Sequence, residues 1–247
     1  MKKEDLETAA YLARKTIQII NGGILASDSP NSEEKRHFFS DVKLRLPKIS
    51  QTGFFINQSG TIITASTLID DCYKLTLNKD IELKVDANQN GLEALHPKKH
   101  LSPLGHLKFS QKFSKLDMPI FMTGYSDSGA FGFPSFKSGR VLDLRGLRND
   151  TDVKQLLLTS EESHTGAAII DQTGSVAGML IAYNKEGKSV PDSISFSMKS
   201  SVIEKFLRKH NIIYHVEQYA NELTLETVSY THLRAHETDS YLVCRLL

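Results

Sequence analysis

From Gly53 onward the apolar residues fall into short β-branched and aromatic runs, separated by clusters of Gly, Asn, Asp and Ser. The runs are Gly53–Ile56, Thr61–Ala65, Lys74–Leu77, Ile81–Val85, Pro119–Thr123, Lys137–Leu142, Val153–Thr159, Ala167–Asp171, Val176–Tyr183 and Ile194–Met198. Runs this short, with turn signals between them, predict an all-β barrel or sandwich. Helical spacing occurs twice. Residues 4–17 place Leu6, Ala9, Ala10, Leu12, Ala13 and Ile17 on one face. Ser200–His210 does the same with Val202, Ile203, Phe206 and Leu207, with Ser201 suited to the N-cap and Glu204 to the reciprocal capping position. Between the first helix and the strands lie a β-rich stretch, Thr16–Asn21, and a polar loop, Ser27–Lys35.

One hairpin pattern occurs twice. Phe55-Ile56-Asn57-Gln58-Ser59-Gly60-Thr61-Ile62 is answered by Ile169-Ile170-Asp171-Gln172-Thr173-Gly174-Ser175-Val176. Each reads as two strands joined by a tight turn whose Gly supplies a positive φ. The repetition predicts two similar β-units in tandem, with the boundary in the Pro- and Lys-containing stretch between His96 and Lys115.

Composition adds mostly exclusions. With 30 Lys+Arg against 29 Asp+Glu, the net charge of +1 in 247 residues excludes a polybasic nucleic-acid binder. No apolar run approaches the roughly 18–20 residues that span a bilayer, and no signal peptide is visible at the start. The last twenty residues, Val228 to Leu247, resemble translated sequencing-adapter read-through, a transposon-end sequence followed by an index and a primer site. They are therefore expected to be artefact rather than natural sequence, which would break off near Glu226. Setting them aside leaves Cys72 alone, so neither an internal disulfide nor a Cys metal cluster is expected. A single thiol leaves the compartment open.

The hairpins and their neighbours carry a family resemblance. Thr52-Gly53-Phe54-Phe55-Ile56-Asn57-Gln58-Ser59-Gly60-Thr61-Ile62-Ile63-Thr64-Ala65 resembles the opening hairpin of trypsin-like serine proteases of the HtrA/Deg type. Gly124 to Val141, ending in Lys137-Ser138-Gly139-Arg140-Val141, is similar to that family's next conserved stretch. Thr165-Gly166-Ala167-Ala168-Ile169-Ile170-Asp171 to Gly178 falls where the family carries its nucleophile motif, and Ile194–Ser200 precedes the final helix as it does there. Arg36-His37-Phe38-Phe39 resembles an aromatic loop of the family. The four main segments occur in the family's order across roughly residues 5–212. The resemblance implies a chymotrypsin/trypsin-like double β-barrel: two six-stranded antiparallel barrels, a short N-terminal helix and a C-terminal helix. It implies a first unit over 1–115, a second over 116–213 and a truncated linker over 214–227. No cofactor and no metal belong to such a site. The resemblance also implies an extracytoplasmic or periplasmic location, peptide or unfolded-protein partners, and a possible homotrimer, with neither nucleic acid nor a membrane span.

The chemistry departs from the family. Hydrolysis on this fold needs a hydroxyl nucleophile, an imidazole base, a carboxylate to orient it, and backbone N–H donors for the oxyanion. Carried over, the imidazole position holds Thr67, and the carboxylate position falls nearest Asn90, with Glu93 left open by a loose alignment. The nucleophile position holds Thr165, and the shortened loop before it carries Ser163 and His164 where the oxyanion donors are shaped. Groups that work as a unit fail together. The degenerate positions Thr67, Asn90 and Thr165 therefore predict a protease fold without proteolysis.

Other chemical readings are weaker. His164 is expected at the surface, since neighbours on a strand face opposite ways. His96, His100 and His106 read as a solvated basic loop beside Lys98 and Lys99 more readily than as metal ligands. His210 and His215 suit the C-terminal dipole of the last helix. Gly124–Pro134 lacks the Lys and following helix of a phosphate loop, and Cys72 reads as a packed residue. Three functions follow: a non-catalytic peptide- or protein-binding or regulatory module in protein quality control, an active endopeptidase with misaligned catalytic residues, or a structural oligomerisation module.

Overall fold

In a computed structural model, residues 47–66, 74–77, 81–110, 114–125, 134–182, 190–217 and 239–245 are described. The expected N-terminal helix, Thr16–Asn21, Ser27–Lys35, Thr67 and Cys72 lie outside them.

The first barrel is built from β1 (Pro47–Phe55), β2 (Ile62–Ala65), β3 (Lys74–Leu77), β4 (Ile81–Gln89) and β5 (Leu92–Pro97). It is closed by β14 (Asp239–Arg245), in the order β1-β14-β3-β4-β5-β2. The C-terminal tail thus supplies the strand between β1 and β3. The second sheet contains β6 (Phe109–Ser110), β7 (Pro119–Tyr125), β8 (Pro134–Asp143), β9 (Val153–Leu157), β10 (Ala168–Ile170), β11 (Val176–Ile181), β12 (Ile194–Lys199) and β13 (Val216–Glu217). Its order is β10-β7-β8-β9-β12-β11-β6-β13, and a further β10–β11 pairing brings the sheet back to its start. The expected all-β architecture of two barrel-forming units is present. A helix, α1 (Ser200–Lys209), follows β12 directly.

Three apolar clusters explain which strands alternate and which do not. Phe55, Ile62, Leu77, Leu83 and Leu95 fill the first barrel, and Ile120, Met122, Val141, Leu156, Leu158, Ala167, Ile169 and Leu180 form a core on the second sheet. The third cluster joins Phe54, Ile56, Ile63, Leu92 and Ala94 of the first barrel to Phe121, Ile170, Met179 and Met198 of the second sheet and to Ile203, Phe206 and Leu207 of α1. Strands that serve two cores are buried on both faces. Strand β5, at Leu92–Leu95, is buried throughout and shows no polar alternation.

The twin hairpin turns form as their sequences predict. Asn57 Oδ1 accepts the Thr61 N–H at 3.0 Å, while Asp171 Oδ1 accepts the Thr173 and Ser175 N–H groups at 2.8 and 3.2 Å. Gly60 and Gly174 hold φ of 84° and 77°. The cap of α1 differs from expectation. The cap falls two residues earlier, at Lys199 and with no side-chain bond, so Ser201 already lies in the first turn. Glu204 reaches along the helix and outward instead, accepting from Arg208 Nη1 and the Tyr214 hydroxyl.

Candidate functional site

The two units meet at Thr52 of β1. Its backbone N–H donates to Thr165 O at 3.0 Å. Its hydroxyl donates to Ser163 O at 3.1 Å and accepts the Tyr125 N–H at 3.1 Å. Thr52 O in turn accepts from the Thr64 hydroxyl at 2.8 Å, and Gln51 Nε2 donates to Thr64 Oγ1 and to Ala65 O at 2.9 and 2.7 Å. Thr52 and Thr64 are fully buried, so each lost bond would strand a polar group away from water. This network fastens the 163–165 segment to the first barrel. Gly166 makes the approach possible: its φ is 88°, and a Cβ there would overlap the Thr52 carbonyl oxygen and the Thr64 hydroxyl.

The segment before Gly166 is a single 3-10 turn, Glu162–His164. Two of its N–H groups are bonded within the turn. The Thr165 N–H donates to Glu162 O at 3.0 Å and the His164 N–H to Glu161 O at 3.2 Å, while Gly166 N–H reaches Leu180 O at 2.9 Å. Thr165 retains only 6% exposure.

His164 corrects the sequence reading. It is fully buried rather than on the surface, because residues 162–164 form a turn and not a strand. Nδ1 accepts the Glu161 N–H at 3.0 Å, and the ring lies against Gly124, where a Cβ would stand 3.0 Å from Cδ2. The imidazole stitches its own loop. Among the described residues, no imidazole hydrogen-bonds to the Thr165 hydroxyl.

Thr67 lies outside the described residues. Asn90 is exposed at the tip of the β4–β5 hairpin, where Asn90 and Gly91 carry φ of 52° and 78°, the two-residue turn that this dipeptide favours. Glu93, left open by the alignment, is fully buried on β5 opposite Thr64, and its Oε1 accepts from Asn88 Nδ2 at 3.0 Å. The histidines of the 96–106 stretch diverge. His96 Nδ1 lies 3.7 Å from Asp86, His100 is exposed, and His106 packs on His215 with ring centroids 5.2 Å apart. Burial, then the neighbouring His215 and Lys108 charges, pushes the His106 pKa down. His210 Nε2 sits 3.2 Å from Gln89 Oε1 at the end of α1. Among the described residues, no group of three or more His, Cys, Asp or Glu side chains could hold a metal ion, and no helix is long and apolar enough to cross a membrane.

Sequence reasoning missed Thr52, whose signal was only its place at the start of the hairpin motif. It also missed Lys154, which sits two residues before buried Leu156 and so on the same inward face of β9.

No protein-family model matches the chain. A search of curated proteins finds 25% identity over 174 residues to the uncharacterized protein y4bJ of Sinorhizobium fredii (strain NBRC 101917 / NGR234). That match takes in 65% of this chain but 27% of y4bJ, so the chain spans about a quarter of that relative. Solved structures are more informative about shape. An inactive mutant form of Rv3671c from M. tuberculosis H37Rv superposes with a TM-score of 0.52 at 17% identity, over 65% of this chain and 81% of that one. The HtrA-type protease AlgW gives 0.53 at 14% identity, over 65% and 51%. The MamO protease domain of Magnetospirillum magneticum gives 0.50 at 14% identity, over 65% and 96%. The fold is that of the trypsin-like serine proteases. At such identities the likeness concerns fold alone, and function must be argued from the site.

Proposed function

We propose that this chain is an HtrA-type protease homologue that does not cleave peptides and instead binds extended or unfolded peptide segments beside the Thr165 turn. One observation supports the loss of chemistry above others: the Thr165 N–H is donated to Glu162 O at 3.0 Å. In a trypsin-like mechanism the nucleophile's own N–H is an oxyanion donor, and a donor already bonded within its turn cannot stabilise the tetrahedral intermediate. The residue types agree. A Thr hydroxyl without an adjacent base is a poor nucleophile at neutral pH, and the positions matching base and carboxylate hold Thr67 and Asn90. The low exposure of Thr165 also leaves little of the hydroxyl for a substrate. Peptide as the ligand class is supported by the fold and by AlgW, which was solved with a decapeptide.

The test is fluorescence anisotropy with a labelled unstructured peptide, followed by mass spectrometry of the same mixture. Saturable binding with the peptide recovered intact is the expected result. Cleavage that disappears in Thr165→Ala would overturn the reading of lost catalysis, and absence of binding would overturn the binding role.

A further inference from the structure

The second sheet contains a buried amine that the Thr165 site does not use. Lys154 of β9 is fully buried. Its Nζ lies 2.7 Å from Ser114 Oγ and 2.9 Å from Ala177 O. Among the described residues no carboxylate stands within ion-pair distance, so the partners of this lysine are a hydroxyl and a carbonyl. A lysine so enclosed is uncommon, because burial without a counter-ion disfavours the charged form. Gly178 packs beside its stem, where a Cβ would make ordinary contact with Lys154 Cε at 3.5 Å. Ser114, by contrast, is half-buried, and it is followed by exposed Lys115, Leu116 and Asp117, with Leu116 61% accessible. A partly exposed serine at the edge of an exposed stretch is therefore backed by a fully buried amine.

We propose that Ser114 and Lys154 form a nucleophile–base pair that accepts acyl groups from small activated carboxylic esters. The neutral amine keeps one N–H on Ala177 O and offers its lone pair to the Ser114 O–H. Ser114 Oγ attacks the ester carbonyl carbon, its proton passes to Lys154 Nζ, and the C–O bond to the leaving alkoxide breaks with the electron pair. The products are an O-acyl Ser114, a protonated Lys154 and the free alkoxide. An activated nucleophile held within hydrogen-bond reach of its base is the arrangement such chemistry requires. The charge environment favours the neutral amine. Burial first, then the Lys199 charge, brings the Lys154 pKa down to about 8, with Asp171 opposing from the end of β10.

The experiment uses p-nitrophenyl acetate on the full chain, following p-nitrophenolate release in the pre-steady state and mapping the acetyl group by peptide mass spectrometry. The expected result is acetyl-Ser114, formed at a rate that climbs with pH and levels off above about 8. Lys154→Met should slow that step by about 10²-fold, the lower range for loss of a general base. Ser114→Ala should abolish the adduct while circular dichroism shows an unchanged fold. Acetylation of Lys154 itself, an adduct absent from Ser114, or a wild-type rate without a rise near that pH would overturn the proposal. The wild-type pH profile decides the matter even if Lys154→Met does not fold.

Discussion

Replacing Lys154 with Met removes a charge from a fully buried position while keeping the stem's length and apolar character. Its pKa falls from 10.5 to about 8 on folding, chiefly through burial and then the Lys199 charge. A lysine whose folded pKa is lowered penalises the folded state in full below the folded value. The penalty is relieved as pH rises toward the unfolded value, because between the two the unfolded chain binds the extra proton. At 1.36 kcal/mol per pKa unit, the relief is about 3 kcal/mol between pH 8 and 10.5. Lys154→Met has no such dependence. It does leave Ala177 O without the amine donor, at a cost of about 1–3 kcal/mol that does not vary with pH. Urea unfolding of both proteins at intervals from pH 7 to 11 isolates the effect, since every other titration cancels in the difference. The stability of wild type relative to Lys154→Met should rise by about 3 kcal/mol over that range. A difference that stays flat, or that falls with pH, would refute the picture of a desolvated, carboxylate-free amine.

Other predictions concern the Thr165 site and the barrel that carries it. Thr52→Val keeps the shape but removes the hydroxyl's two hydrogen bonds, to Ser163 O and from the Tyr125 N–H, so unfolding free energy should fall by about 1–3 kcal/mol in denaturant titration. Gly166→Ala places a Cβ against Thr52 O at positive φ and should cost more than Thr52→Val in the same titration, with reduced soluble yield. The double change Thr67→His with Thr165→Ser should leave peptide cleavage at background, measured with a fluorogenic substrate, because it leaves the turn bond from residue 165 to Glu162 O in place. We propose that residues 228–247 are adapter-encoded and that β14 occupies its place through backbone pairing, which is blind to sequence. A chain ending at Glu226 should then retain its strand content by circular dichroism, with a β-prone segment such as Thr16–Asn21 taking the vacated edge. Loss of folding on that truncation would contradict this.

What the sequence made legible was mostly local. The two Asx-led turns rest on side chains bonding to backbone within four residues, so Asn57 with Gly60 and Asp171 with Gly174 declared themselves. Helix α1 was visible from its apolar stripe, but its cap was not, since the last residue of β12, Lys199, takes the N-cap in an extended conformation with no side-chain bond to signal it. Strand β5 escaped notice because Leu92, Glu93, Ala94 and Leu95 are all buried, between the first barrel's core and the core shared with the second sheet. The alternation that marks a half-exposed strand is absent there. Asn90, nearest the carboxylate position in the sequence, sits with Gly91 at a hairpin tip where both φ values are positive. His164 was placed at the surface because nothing local reveals a turn packed on Gly124, a contact that exists only once two distant segments are assembled. Lys154 was hidden by a similar effect, its burial depending on Ser114 and Ala177, which lie 40 and 23 residues away.

Labelling with a fluorophosphonate probe tests directly whether the Thr165 hydroxyl is chemically inert. Protein is incubated with excess probe at neutral pH and digested, and the peptide containing Thr165 is examined by tandem mass spectrometry. With an inert hydroxyl this peptide is recovered unmodified, whatever happens at Ser114. A stoichiometric phosphonyl adduct on the Thr165 oxygen would show that its hydroxyl is activated and would contradict the claim that the site has lost its chemistry.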